Sequence, residues 1–232
     1  MMVSHGPPFR DRKDAGQQLA RALIPRAPDH PLVLGLPRGG VPVAYEVACE
    51  LDADLDIVFV RKLGAPGHEE LGIGAVIDGA DPQIVLNEEI IRQIAPDAAY
   101  VKAETRRQLA EIERRRQVYL GDRKPISVAQ RNVILVDDGI ATGGTVRAAL
   151  KGLRRARAGK VLLAVPVAPP DAIRSLAAEC DGIVCLASPD PFYAVGAYYV
   201  NFEQTGDAEV THLLADAARH AAEHSRPGAA RD

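Results

Sequence analysis

Between residues 133 and 145 the chain reads Val-Ile-Leu-Val-Asp-Asp-Gly-Ile-Ala-Thr-Gly-Gly-Thr, and no other stretch restricts the fold as tightly. A continuous β-branched apolar run suits a strand covered on both faces, which is the habit of a parallel sheet. Two adjacent carboxylates, Asp137 and Asp138, end that strand, and the small residues Ala141 to Thr145 lead into an amphipathic stretch. A turn with so little side-chain bulk lets backbone N–H groups wrap an anion, and the helix beyond adds its positive end. The hydroxyls of Thr142 and Thr145 can donate to the same oxygens. Paired carboxylates repel a bare anion but accept from vicinal hydroxyls. The junction therefore suits a ligand with hydroxyls at one end and phosphate at the other, as in ribose 5-phosphate.

The rest of the chain repeats the strand-then-helix pattern. Apolar runs at 32–36, 57–60, 161–165 and 183–186 read as buried strands, and Val41 to Leu51, Thr145 to Ala158 and Asp171 to Cys180 read as helices. This alternation predicts an α/β fold, doubly wound around a mostly parallel sheet, with ligands at the carboxyl ends of the strands. Two segments depart from it. Ile73 to Leu86 reads as a hairpin turning near Asp78 to Pro82, and Asp97 to Leu120 as a long charged helix. Within that helix Arg114-Arg115-Arg116 could grip phosphate or RNA, but interleaved glutamates favour a solvated face. The expected organisation is one domain over 9–223, with a helical insertion at 87–124, a C-terminal hood at 187–206, and flexible ends at 1–8 and 224–232.

Composition narrows the remaining choices. With 4% aromatic residues and no Trp, the core must be aliphatic. A net charge of −3 supplies no basic field, so nucleic acid is disfavoured as a partner. The absence of a signal-type or membrane-length apolar run points to the cytoplasm and to no membrane partner. Cys49, Cys180 and Cys185 lack metal-type spacing and read as reduced core residues. His68-Glu69-Glu70 is wrongly spaced for a helix-borne metal site, and His220 and His224 read as an exposed pair. No metal-ligating residues are expected.

The segment 133–145 resembles the signature of the type I phosphoribosyltransferases, which bind 5-phosphoribosyl-1-pyrophosphate (PRPP). The resemblance implies that Asp137 and Asp138 hold the ribose hydroxyls and that Ala141, Thr142, Gly143, Gly144 and Thr145 hold the 5-phosphate. Gly35 to Ala44 is similar to that family's pyrophosphate loop, which assigns Arg38, Gly39 and Gly40 to pyrophosphate and often contains a cis peptide. Arg61 and Lys62, followed by Gly64-Ala65-Pro66-Gly67, resemble the Arg-Lys pair and loop of adenine phosphoribosyltransferases. They imply leaving-group stabilisation by Arg61 and Lys62 and a lid over Gly64 to Glu70. Phe192 and Tyr193 in the hood are the candidates for stacking on a base, although packing that anchors the loop explains them as well. From Phe9-Arg10-Asp11-Arg12 onward the pattern is similar to a group of uncharacterised bacterial phosphoribosyltransferase-like proteins.

Two departures bear on the acceptor. Ala141 stands where 6-oxopurine enzymes carry an acidic residue, and Val165-Pro166-Val167-Ala168 lacks their base-contacting Lys. Hypoxanthine-guanine specificity is disfavoured. The implied activity is Mg²⁺-dependent transfer of a phosphoribosyl group from PRPP to a nitrogenous acceptor, possible in a homodimer. Asp138, Glu69, Glu70 and Asp78 are open as general bases. A PRPP- or nucleotide-sensing regulator and a hydrolase are the competing readings.

Overall fold

The computed structural model describes residues 8–224, and the expectations for residues 1–7 and 225–232 lie outside the described residues. The order is α1 (Arg12–Leu23), β1 (Leu32–Gly35), α2 (Gly40–Glu50), β2 (Asp54–Ile57), β3 (Val60–Ala65), β4 (His68–Ile77), β5 (Gln83–Leu86), α3 (Glu88–Ile94) and α4 (Ala98–Leu120). It continues with β6 (Val133–Val136), α5 (Gly144–Arg155), β7 (Val161–Val167), α6 (Pro170–Leu176), β8 (Gly182–Ala187), a 3₁₀ turn (Val195–Tyr198) and α7 (Asp207–His224).

Five strands form a parallel sheet in the order β2-β1-β6-β7-β8. Side chains alternate across it, because successive residues of a strand face opposite ways. Val33, Ile134, Val136, Leu162 and Ala164 pack with residues of α1, α2, α4 and α7. Leu32, Leu34, Val133, Leu135, Leu163 and Val165 pack with α5 and α6. All four residues of β6 are fully buried, as a central strand covered twice must be. The sheet is therefore doubly wound, and its strand order reverses between β1 and β6. A crevice forms at such a reversal, outside the carboxyl ends of the two strands.

The expected hairpin is present. β4 and β5 pair antiparallel, and β3 joins them in a second, three-stranded sheet. The reading of 57–60 as one strand is corrected. β2 ends at Ile57, and the chain crosses between sheets at Val58 and Phe59. There Val58 N–H donates to the Gly35 carbonyl at 3.1 Å and Phe59 N–H to the Asp78 carboxylate at 2.6 Å. Arg61 and Lys62 consequently lie inside β3 rather than at the end of a parallel strand.

The helix predicted from Asp97 begins at Ala98, with the Asp97 side chain capping Ala99 N–H. Its inward stripe is Glu104, Gln108, Ile112 and Arg116, spaced by four, so α4 packs largely through polar groups. The solvated-face reading of the arginine triplet is corrected for Arg116, whose side chain is 7% exposed. It pairs with Asp78 at 2.5 Å and Asp56 at 3.4 Å, and its Nε has no partner among the described residues. Two inward carboxylates required a buried cation. Cys180 is buried, but Cys49 and Cys185 are only half-buried; all three are free thiols, pushed upward in pKa by burial. No described helix is long and apolar enough to cross a membrane.

Candidate functional site

Two loops meet where the strand order reverses: Leu36 to Gly39 after β1, and Asp137 to Gly143 after β6. Their contact is close because glycine permits it. A side chain on Gly39 would collide with the Asp138 carboxylate, and one on Gly40 would sit 2.9 Å from the Val136 carbonyl oxygen. The Pro37–Arg38 peptide is cis, as the resemblance implies. The loops thus place Gly39 and Gly40 beside Asp137 and Asp138, whereas the Arg38 side chain is turned toward Asp207.

The carboxylate end is tightly held. Asp138 N–H donates to Asp137 Oδ1 at 2.9 Å, and the Tyr199 hydroxyl donates to the Asp138 carbonyl oxygen at 2.5 Å. Arg12 Nε donates to Asp138 Oδ2 at 2.8 Å, with both side chains mostly enclosed. The same guanidinium donates to the Glu203 carbonyl oxygen at 2.6 Å and lies 3.9 Å from the centre of the Phe202 ring. Burial, then the charge of Asp138, holds Asp137 well above the usual carboxylate range. Burial also raises Asp138, against the lowering pull of Arg12. Arg12 was not singled out as a site residue from sequence. Its signal was the Phe9-Arg10-Asp11-Arg12 segment, where Asp11 caps α1 and so fixes Arg12 at the start of the helix.

The phosphate-type turn is open. Ala141, Thr142, Gly144 and Thr145 are exposed, and nothing lies within 4 Å of where a Gly144 side chain would begin. Gly143 adopts φ 77°, a left-handed conformation that turns the chain into α5. The first amides of α5 have no acceptor within the helix.

A cavity of about 620 Å³ joins this turn to the segment that follows β8, lined by Ala141, Thr142, Asp171, Ser175, Asp190 and Phe192 among others. Phe192 stacks on Tyr198, with centroids 5.5 Å apart. Tyr193 is 80% exposed and does not line the cavity. Tyr199 packs between Phe9 at 5.3 Å and Phe202 at 4.9 Å, so much of the aromatic content after β8 builds a small core with Phe9.

The remaining candidates are dispersed. Arg61 Nε donates to Gln108 of α4 at 2.9 Å, and the stem of Lys62 covers Gly72. Asp78, pushed up to about 6 by burial despite Arg116, belongs to the buried network beneath α4. His220 pairs with Asp52 at 3.3 Å. The expectations placed on the side chains of Glu69, Glu70 and His224 lie outside the described residues. Among the described residues no cluster of three or more His, Cys, Asp or Glu could hold a metal ion.

Comparison with known proteins agrees with this geometry. Residues 11–201 match the model of the phosphoribosyl transferase domain. A Mycobacterium tuberculosis protein named "Putative phosphoribosyl transferase Rv0571c" is 47% identical over 224 residues, covering 97% of this chain and 50% of that protein. The chain thus spans about half the length of the curated relatives it matches. The crystal structure of TT1426 from Thermus thermophilus is similar with a TM-score of 0.79 and 43% identity, covering 90% of this chain and 98% of that one. The chain belongs to the phosphoribosyl transferase domain family and has the type I phosphoribosyltransferase fold.

Proposed function

We propose that this chain transfers the 5-phosphoribosyl group of PRPP to a nitrogenous acceptor and releases pyrophosphate. The carrying observation is the pairing, at one sheet reversal, of a carboxylate pair with an open turn of unsatisfied amides. In this reading Asp137 and Asp138 accept from the ribose hydroxyls. The amides of Ala141 to Thr145, with the hydroxyls of Thr142 and Thr145, bind the 5-phosphate. Arg38, Gly39 and Gly40 receive the pyrophosphate.

As the bond from C1 to pyrophosphate breaks, the leaving group keeps the electron pair and positive charge develops on the sugar ring. The fixed carboxylates favour that charge, and Arg38 favours the departing anion. Arg12 keeps Asp138 oriented through the hydrogen bond at 2.8 Å. Arg61 and Lys62, on the hairpin of β3 and β4, would approach the leaving group if Gly64 to Glu70 closes as a lid. The acceptor would occupy the cavity beside Phe192, where an aromatic face is available. A base nitrogen attacking there completes the transfer without a covalent enzyme intermediate.

Mg²⁺ arriving with PRPP would supply charge neutralisation to the pyrophosphate. The chain's residues fit that role in donor type: Asp137 and Asp138 are adjacent carboxylates, and Arg12 bonds one oxygen of Asp138. Mg²⁺ commonly takes one or two carboxylates and draws its other ligands from substrate phosphates and water.

A second reading, a PRPP or nucleotide sensor without turnover, is favoured by one observation. Arg61 is engaged by Gln108 of α4 rather than displayed toward the carboxylate pair. Incubation with PRPP, Mg²⁺ and a panel of bases and amines separates the readings, following pyrophosphate release and product mass. Acceptor-dependent release is expected. Release without acceptor would make the chain a hydrolase, and PRPP binding without release would make it a sensor.

A further inference from the structure

Arg38 belongs to the loop after β1, yet its side chain points away from that loop toward α4 and α7. It donates to Asp207 Oδ1 at 3.4 Å, at the first residue of α7. There it lines a cavity of about 240 Å³ whose other walls are Arg114, Arg115, Val118, Tyr119 and Asp207. Three of these six residues are arginines, and two of them come from the inserted helix.

The charge balance is uneven. Arg114 donates twice to Glu111, at 2.9 and 3.0 Å, and Arg115 donates once to the same carboxylate at 2.8 Å. One carboxylate therefore serves two guanidiniums. Asp207 is divided between Arg38 and the Tyr119 hydroxyl, which donates to it at 2.6 Å. Three cations thus face two carboxylates, and the surplus is positive. Arg115 retains both terminal nitrogens without a hydrogen bond among the described residues. A forked donor held at its Nε and open at its tip is well suited to phosphate oxygens.

We propose that α4 builds a second anion site, separate from the phosphate-type turn, in which Arg114 and Arg115 join Arg38 to hold a pyrophosphate group. This goes beyond the loop of Arg38, Gly39 and Gly40, because two of its three cations lie in the helix inserted between β5 and β6. It rests on the transferase reading only for the origin of the anion. Arg38 is adjacent to Gly39, and Gly39 abuts Asp138, so the site continues outward from the carboxylate pair. A leaving group moving away from the sugar carbon meets Arg38 first and the two α4 arginines next. Arg38 is shared between both positions, which couples occupancy of the cavity to the transfer site.

The test uses the full chain and calorimetric titration with pyrophosphate, inorganic phosphate and ribose 5-phosphate as separate probes. Arg114→Ala combined with Arg115→Ala should weaken pyrophosphate binding about tenfold or more, since each lost charge-assisted hydrogen bond is a substantial part of such affinity. Ribose 5-phosphate binding should be unchanged. Arg115→Lys, which keeps the charge but not the fork, should fall between. Glu111→Gln releases both arginines and should tighten pyrophosphate binding, a result that a merely helix-stabilising ion pair would not give. Pyrophosphate affinity unmoved by the double substitution and by Glu111→Gln, with ribose 5-phosphate still bound, would overturn the site and leave the transferase reading intact. Pyrophosphate binding that depends on these arginines, in a chain that binds neither PRPP nor ribose 5-phosphate, would uphold the site and remove the transferase reading.

Discussion

The two ends of the junction after β6 are built in opposite ways. At the carboxylate end, Asp137 and Asp138 are enclosed by Gly39, Gly40, Arg12 and Tyr199, residues distant in sequence, and Arg12 fixes one oxygen of Asp138. At the turn, Ala141, Thr142, Gly144 and Thr145 stand exposed around a buried Gly143, and they depend on little beyond their own backbone and the start of α5. The difference shows where specificity and affinity would reside. A hydroxyl-reading end needs fixed acceptors, whereas an anion-binding end needs only converging amides that any phosphate can enter.

The sharpest way to break this contrast is at the carboxylates. Asp137→Asn together with Asp138→Asn should lower pyrophosphate-releasing turnover by at least about a hundredfold, in steady-state assays with PRPP, by removing charge opposite the developing cation. Orthophosphate binding at the turn should persist. Simultaneous loss of both would mean that the two ends are not separable.

At the turn, Gly144→Ala places a methyl group in space that is empty in the free protein. Ribose 5-phosphate affinity should fall about tenfold in calorimetry, while thermal stability is unchanged or gains up to ~1 kcal/mol from the better helix former. A variant that loses stability instead would show that the turn is as closely packed as the carboxylates.

Arg12→Ala should have a smaller effect, a several-fold rise in KM for PRPP. Arg12 lowers the pKa of Asp138, so its removal raises that pKa further. PRPP binding needs the ionised form, so the acid limb of the KM–pH profile should move to higher pH. Lys at this position should restore part of the shift.

The least change is expected in stability itself. Asp137 has a folded pKa raised above its unfolded value, so its contribution to stability is fully present below the unfolded pKa. That contribution is lost as pH rises through the folded pKa. Asp137→Asn should therefore be more stable than the parent at alkaline pH, with the advantage vanishing in acid, as denaturant titration at several pH values would reveal.

Much of this contrast could be read in the amino-acid sequence, and for the same reason that divides the two ends. The strand at 133–136, the carboxylates and the small-residue turn are contiguous, so local pattern describes them. β6 matches its predicted span, and α5 starts one residue before the predicted Thr145. What surrounds the carboxylates is not local. Arg12 meets Asp138 across 126 positions, and nothing in the neighbourhood of either announces the other. Arg116 was misread for a similar reason, since its carboxylates lie 38 and 60 positions away. A signal did exist there. Asp56 between Leu55 and Ile57 is a carboxylate inside an apolar strand, and such a group demands a partner. The crossing at Val58 and Phe59 was hidden because its stopping point depends on Asp78, 19 positions farther on.

The Arg12 bridge also bears on how the molecule comes into being. Arg12 grips Asp138 from one side and the Glu203 carbonyl, 191 positions away, from the other, while Phe9 and Arg10 exchange backbone bonds with Tyr198, Val200 and Asn201. During synthesis the sheet through β7 can assemble on the ribosome, but this clasp must wait until residue 203 has left the exit tunnel. The nascent protein would acquire the hydrophobic contacts of its central sheet early and the final setting of its paired carboxylates among the last of its parts.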